Sequence, residues 1–185
     1  MLTLIKDVLE YSRLTKAERR YVPVDMDVIL QNVMTDFDLL IEQKNAKVEV
    51  QKLGIIDGIP LQINQLFHNL LSNSLKFAAK ERDPHIQIKI KRLTEEEVAQ
   101  HKDLDQSLPY IQIEWQDNGI GFSEEHAEQI FVIFQRLNDR GSYSGTGIGL
   151  AMCKRIATNH RGEISVRSAV DKGSTFFIVL PAKHK

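Results

Sequence analysis

The sequence is sparing with the features that would send a protein outside the cell or into a bilayer. It has a single cysteine, Cys153, so no internal disulfide can form and a reducing, cytoplasmic setting suits it. That cysteine falls within an apolar helical run, where a buried, inert thiol is the ordinary case. No stretch reaches the roughly 18 consecutive apolar residues that mark a membrane-crossing helix. The first residues lack the basic, then apolar, then small-residue order of a secretory leader. These residues are therefore expected to be cytoplasmic and to make no membrane contact, whether or not the full-length protein is membrane-anchored. A formal net charge of −1 offers no bulk attraction to nucleic acid, and none is expected as a partner. There is no internal repeat and no low-complexity tract. What is present, 185 residues with 42% hydrophobic and 26% charged, is an ordinary globular composition with enough chain for one well-packed domain.

Residues 1–15 place Leu2, Ile5, Leu9 and Ser12 on one side, with Leu4, Val8 and Tyr11 beside them. That apolar face is too broad for a helix standing alone in water. The pattern begins without an N-cap, as the tail of a longer helix would. A charged connector over 16–21 follows, and Pro23 keeps its approach extended. Asp25 or Asp27 can cap a second helix running to about Lys44, with Ile29, Val33, Phe37, Leu40 and Ile41 as its buried stripe and Asn45 at its end. Val48, Val50 and Leu53 alternate with polar neighbours as a half-buried strand does. Gly58 and Pro60 punctuate the approach to a third helix over about Leu61 to Ala79. Strand alternation returns over His85 to Arg92 and Tyr110 to Gln116. It recurs over 163–169 and 174–180, a hairpin turned by Asp171 and Gly173. Between the first two of these strands, residues 93–108 read as a surface elaboration, with a capping box at Thr94 and Glu97. Ile148 to Thr158 is helical.

On the third helix, Ile63, Leu66, Phe67, Leu70, Leu71 and Ala78 form a broad core side. Asn69, Asn73, Lys76 and Lys80 share a narrow stripe opposite them. A solvated face is one reading. Two asparagines inside a helix weaken it, because Asn competes for backbone hydrogen bonds and is a poor helix former. The other reading is a ligand face: an amide oxygen is a hard neutral ligand suited to Mg²⁺, and a lysine one turn on meets phosphates as a point charge.

Two glycine clusters bracket a polar segment: Gly119/Gly121, just after Asp117, and Gly145/Gly147/Gly149. Such glycines let backbone approach a ligand where a Cβ would collide. The second cluster runs into a helical pattern, so its amides should form an anion site at a helix N-terminus. Asp117, at a strand end, can accept a hydrogen bond from an exocyclic amine such as that of adenine; alone, Asp-Asn-Gly is also a common turn. The residues together suggest a nucleotide phosphate site with a lid. Gly-x-x-x-x-Gly-Lys-Ser/Thr is absent, which excludes a P-loop. No ribose-binding acid follows on a second strand, so a dinucleotide fold fits poorly. The motif set of eukaryotic-type protein kinases is missing too.

Five segments in order resemble the ATP-binding catalytic domain of sensor histidine kinases, in the gyrase, chaperone, histidine kinase and mismatch-repair ATPase superfamily. His68 to Phe77 is similar to the family's asparagine box and Asp117 to Phe122 to its first glycine box. Ile130-Phe131 with Phe134-Gln135-Arg136 is similar to the phenylalanine box, Gly145 to Leu150 to the second glycine box, and Gly173 to Phe176 to the last. Residues 1–14 resemble the end of the family's dimerisation and phosphoacceptor hairpin. The resemblance implies a two-layer α/β sandwich of Bergerat type, a mixed sheet of about five strands under three helices. Residues 1–20 would be the hairpin end and connector, and 21–185 the ATP-binding domain.

Roles follow from the resemblance residue by residue. Asn73 would coordinate Mg²⁺, with Asn69 and Lys76 nearest the chemistry and Phe77 beside them. Asp117 would take the adenine amine at the turn of Gly119 and Gly121, and Ile130 would wall the base pocket. Arg136, with Arg140 as a second candidate, would face the phosphates from a lid at 137–144. Gly145, Thr146, Gly147, Ile148, Gly149 and Leu150 would hold the phosphate chain, and Thr175 would support the base through Asp117. The implied reaction is γ-phosphoryl transfer from Mg-ATP to a histidine, then to an aspartate of a response regulator. None of His68, His85, His101, His126, His160 and His184 is followed by an acidic residue, as the family's acceptor is. The acceptor helix is therefore expected outside this chain, on its own protein or a dimer mate. Asn69 stands where water-using ATPases of the superfamily carry glutamate, and asparagine cannot act as a base. Arg161 departs from the family's usual glycine, with little consequence expected. The rivals are a serine kinase or ATP hydrolase of the same superfamily, and a regulatory domain that has lost catalysis.

Overall fold

The computed structural model describes residues 2–16, 20–137 and 145–184. Its elements are α1 (Leu2–Lys16), β1 (Val22–Asp25), α2 (Met26–Asp36), α3 (Asp38–Gln43), β2 (Lys47–Val50), β3 (Ile55–Gly58), α4 (Pro60–Lys76), β4 (His85–Arg92), α5 (Glu95–Ala99), β5 (Tyr110–Asp117), α6 (Gly149–Asn159), β6 (Glu163–Ala169) and β7 (Gly173–Pro181). The main sheet has five strands in the order β2-β4-β5-β7-β6. Only the β2–β4 pair is parallel, so the sheet is mixed.

Register explains the two layers. Ile88 pairs with Trp115, Trp115 with Phe176 and Phe176 with Val166. This row points one way, and with Ile113, Ile178 and Ile164 it forms a buried face. Against it lie the apolar stripes of α2, α4 and α6, with Leu66, Phe67, Leu70, Met152 and Ile156 in one continuous core. The alternate residues Lys89, Glu114, Gln116 and Arg167 face away from it.

Asp25 is the N-cap of α2, accepting from the amides of Asp27 (3.0 Å) and Val28 (3.2 Å). Asp27 instead ties α2 to the residues just before β3, taking the amides of Leu53 and Gly54, both at 2.8 Å. The single helix expected to Lys44 is broken at Phe37, whose ring lies against His68 with centroids 4.8 Å apart. Leu53 belongs to no strand, and β1 pairs with an unexpected β3 in a separate two-stranded ribbon. The helix read to Ala79 stops at Lys76, with Phe77 as its C-cap.

Residues 93–108 bury a satellite core on the outer sheet face, where Val98, Leu104, Leu108 and Tyr110 cover Val179. They begin with the expected capping box. Helix α1 packs on α6. Its Leu14 is buried, its Leu14 carbonyl accepts from Asn159 Nδ2 at 2.9 Å, and Tyr21 donates to the Asn159 carbonyl at 2.6 Å. Among the described residues, no helix is long and apolar enough to cross a membrane.

Candidate nucleotide-binding site

One cavity of about 880 Å³ opens between α4 and the start of α6, closed at one end by the end of β5. Thirteen of the site residues expected from the sequence line it: Asn69, Asn73, Lys76, Phe77, Asp117, Gly121, Ile130, Arg136, Gly145, Thr146, Gly147, Gly149 and Leu150. They come from four separate parts of the chain, so the convergence is a product of the fold.

The α4 wall is fixed by its opposite face, where Ile63, Leu66, Phe67, Leu70 and Leu71 are buried and set the roll of the helix. Asn69 Oδ1 lies 3.7 Å from where a Cβ on Gly149 would stand, at the first turn of α6. Asn69 Nδ2 is buried and has no oxygen or nitrogen acceptor among the described residues, with only the Cys153 thiol beneath it. Lys76 Nζ sits 4.4 Å from the Phe77 ring centroid, and a Cβ on Gly145 would come within 2.5 Å of it. Burial first, then the nearby Arg136 charge, lowers the Lys76 pKa from the usual lysine range. Two cations held near each other in a partly desolvated cleft form a site for a polyanion. Lys80, past the end of α4, is off the stripe and exposed.

Asp117 ends β5 on the core-facing side of the sheet, paired with Ser174 of β7. Its Oδ1 accepts from the amides of Gly119 (2.9 Å) and Ser174 (3.3 Å), and its Oδ2 from the Ser74 hydroxyl (3.4 Å). Ser74 in turn accepts from Trp115 Nε1 at 3.1 Å. Burial raises the Asp117 pKa above the usual carboxylate range, against those three hydrogen bonds.

Three expected site residues lie elsewhere. Thr175 pairs with Gln116 and Arg167, on the sheet face turned away from the cavity. Its neighbour Ser174 pairs with Asp117 and meets that carboxylate through its backbone amide, with its side chain on the Asp117 face because side chains alternate along a strand. The Ile148 side chain is in the core, leaving only its backbone at the loop. Gly119 lies behind the cavity lining: a Cβ there would be 2.5 Å from the Phe77 carbonyl oxygen. Gly121 has φ +58°, and a Cβ would stand 2.0 Å from the Ala169 carbonyl oxygen. The first glycine pair thus admits close approach of protein backbone, where ligand approach was expected. Arg140 and most of the expected lid fall outside the described residues.

Ser74 and Trp115 were missed as site residues. The signal was a hydroxyl in the core stripe of α4, four residues after Leu70. Asp7 of α1 also reaches the rim, where the Thr146 hydroxyl donates to its Oδ2 at 2.6 Å. Cys153 is wholly buried beneath Asn69, its thiol pushed up to about 12 by burial, and is inert.

A helix face bearing two amides and a lysine, a buried aspartate at a strand end and a glycine loop opening a helix, on a mixed two-layer sheet, define a Bergerat-type ATP-binding domain. The chain belongs to the family of histidine kinase-, DNA gyrase B- and HSP90-like ATPases, matched over residues 58–184. It is 34% identical over 181 residues to the phytochrome-like protein Cph1 of Synechocystis, covering 98% of this chain and 22% of that protein. It is 35% identical, with the same coverage of each, to cyanobacterial phytochrome A of Nostoc. The chain therefore spans about a fifth of the length of these relatives. Full-length ShkA in complex with AMPPNP shares the fold, with a TM-score of 0.76, 21% identity and coverage of 97% of this chain and 35% of that one. So does the histidine kinase ThkA in complex with the response regulator TrrA, at 0.67, 20%, 97% and 46%.

Proposed function

We propose that this chain is the Mg-ATP-binding and phosphoryl-donating part of a two-component sensor histidine kinase. It would pass the γ-phosphoryl to a histidine on a helix that this chain does not contain, and thence to an aspartate of a response regulator. Residues 1–20 would be the end of the acceptor-bearing hairpin and 21–185 the catalytic domain. The observation that carries the reading is the convergence of Asn69, Asn73, Lys76, Asp117 and the start of α6 on one cavity. AMPPNP on ShkA and the response regulator on ThkA support the choice of ligand and partner.

The residues present suit a magnesium nucleotide. Among the described residues no three His, Cys, Asp or Glu side chains converge, so those residues offer a metal no cage of carboxylates or imidazoles. Asn73 would give one neutral oxygen, the rest coming from phosphates and water, which is how Mg²⁺ is usually held. Bound there, the ion would neutralise phosphate charge in the transition state. The Asn69 amide nitrogen is buried at the cavity wall with no acceptor besides the Cys153 thiol among the described residues, so a phosphate oxygen would satisfy it.

The chain's own contributions are positional and electrostatic. Asp117, its Oδ1 and Oδ2 aimed by Gly119, Ser174 and Ser74, accepts the adenine amine, and Ile130 walls the base. Lys76 and Arg136 hold the phosphates against the amides that open α6. Asn69 cannot draw a proton from water, which favours transfer to a nucleophile that is already strong over hydrolysis. The test is labelling from γ-labelled ATP. This chain alone should take no stable label, and one extended upstream through the acceptor helix should take acid-labile label. Stable label on the histidines of this chain, or none on the extended one, contradicts the proposal.

A further inference from the structure

We propose that Arg82 is a positioning residue for the purine end of the site. The inference rests on the reading of Asp117 as the acceptor for the base amine. Arg82 follows α4 in the short connection to β4 and does not line the cavity. Its guanidinium gathers three backbone carbonyls: Nε donates to Asn118 at 2.7 Å, and Nη2 donates to Gly119 and to Asp171, each at 2.7 Å. Two of these carbonyls belong to the residues immediately after Asp117. The third belongs to the β6–β7 turn, where Asp171 has φ +59° and its amide donates to the Ile120 carbonyl at 2.7 Å.

Gly119 is thereby held from both sides. Its carbonyl is fixed by Arg82, and its amide donates to Asp117 Oδ1 at 2.9 Å. The Asn118 side chain braces the same turn, accepting from the His85 amide at 2.7 Å and donating to the Asp83 carbonyl at 3.0 Å. Arg82 therefore fixes the peptide that aims the carboxylate, without touching the ligand. A guanidinium suits three divergent carbonyls because it carries five donors on a rigid plane. A lysine ammonium is one point charge on a flexible stem and reproduces part of the arrangement.

The test compares ATP with ITP, in which the exocyclic amine is replaced by an oxygen. Binding of each nucleotide with Mg²⁺ to this chain is measured by calorimetry for wild type, Arg82→Ala and Arg82→Lys, with melting curves for all three. Wild type should prefer ATP by at least about tenfold, since ITP sets oxygen against carboxylate. Arg82→Ala should cut that preference to within about threefold, and Arg82→Lys should fall between. Equal weakening toward both nucleotides at a kept ratio means a merely structural role and overturns the proposal. If the alanine variant does not fold, the lysine variant decides: a ratio lowered about threefold supports the proposal and an unchanged one sinks it. A wild type that does not discriminate ATP from ITP overturns the reading of Asp117 itself, a separate outcome from a kept ratio.

Discussion

Replacing Asp117 with asparagine keeps the shape of the side chain and reverses the role of one of its two ends. Oδ1 accepts from two backbone amides, Gly119 at 2.9 Å and Ser174 at 3.3 Å. An asparagine must turn its oxygen to them, which puts its NH₂ where Oδ2 stood, beside Ser74 and the cavity. The amine of adenine then meets a donor. Losing a hydrogen bond to a charged acceptor and leaving a buried donor unmatched costs about 3–5 kcal/mol together, roughly 150- to 5000-fold in Kd. The fold should tolerate the change, because burial already works against the carboxylate charge. Calorimetry with AMPPNP and Mg²⁺, beside a melting curve, measures both. Weakening of less than about threefold, with the fold intact, would refute the assignment of Asp117. The pH profile is a second readout. The carboxylate must be ionised to accept, so affinity is full above the Asp117 pKa of the free protein. Below that pKa it falls by up to about tenfold per pH unit. Burial raises this pKa, so the decline begins at a higher pH than an exposed aspartate would give.

Lys76→Met should weaken AMPPNP binding by about 10- to 100-fold, the worth of a charge-assisted hydrogen bond, while adenosine binding hardly changes; equal losses for both ligands would contradict its place at the phosphates. Gly121→Ala should lower stability by at least about 1–3 kcal/mol, for a left-handed non-glycine residue, because the new Cβ also meets the Ala169 carbonyl oxygen at 2.0 Å; urea unfolding reads it, and an unchanged midpoint would contradict it. His184 stacks on Tyr21, with centroids 3.6 Å apart. Burial, then the Arg161 charge, lowers its pKa against the pull of Asp57. Between the folded and unfolded pKa values the unfolded chain binds the extra proton. The stability the neutral, buried imidazole contributes is therefore present above the unfolded value, near 6.5, and is lost as pH falls from there through the lower folded value. His184→Phe, which keeps the stack without the proton, should flatten the fall of the melting temperature on acidification, and an unaltered slope would count against the stack.

What the sequence disclosed was whatever is written locally. Alternation over residues 48–53, 85–92, 110–116 and 163–180 gave the five strands of the main sheet, the first read past its end at Val50, and the box motifs gave about two thirds of the cavity lining. What it hid depends on contacts between distant segments. The four-residue strands β1 and β3 pair only with each other, so neither shows a pattern long enough to read. The break at Phe37 is visible only once His68 lies opposite. Ser174, and not Thr175, shares the face of Asp117, because the face a strand residue shows is set by its pairing partner, and one position of register exchanges the two. Ser74 hid in an apolar stripe because hydrophobic periodicity ignores an isolated hydroxyl. Arg82, in a Lys-Glu-Arg run, has the look of solvated charge until the fold brings 118–119 and 171 to it.

Calorimetric titration of this chain with AMPPNP, with and without Mg²⁺, tests the central claim most directly. One site per chain is expected, tightened at least about tenfold by Mg²⁺, with that gain lost in Asn73→Ala. Absence of binding, or binding indifferent to Mg²⁺ and to Asn73, would contradict it.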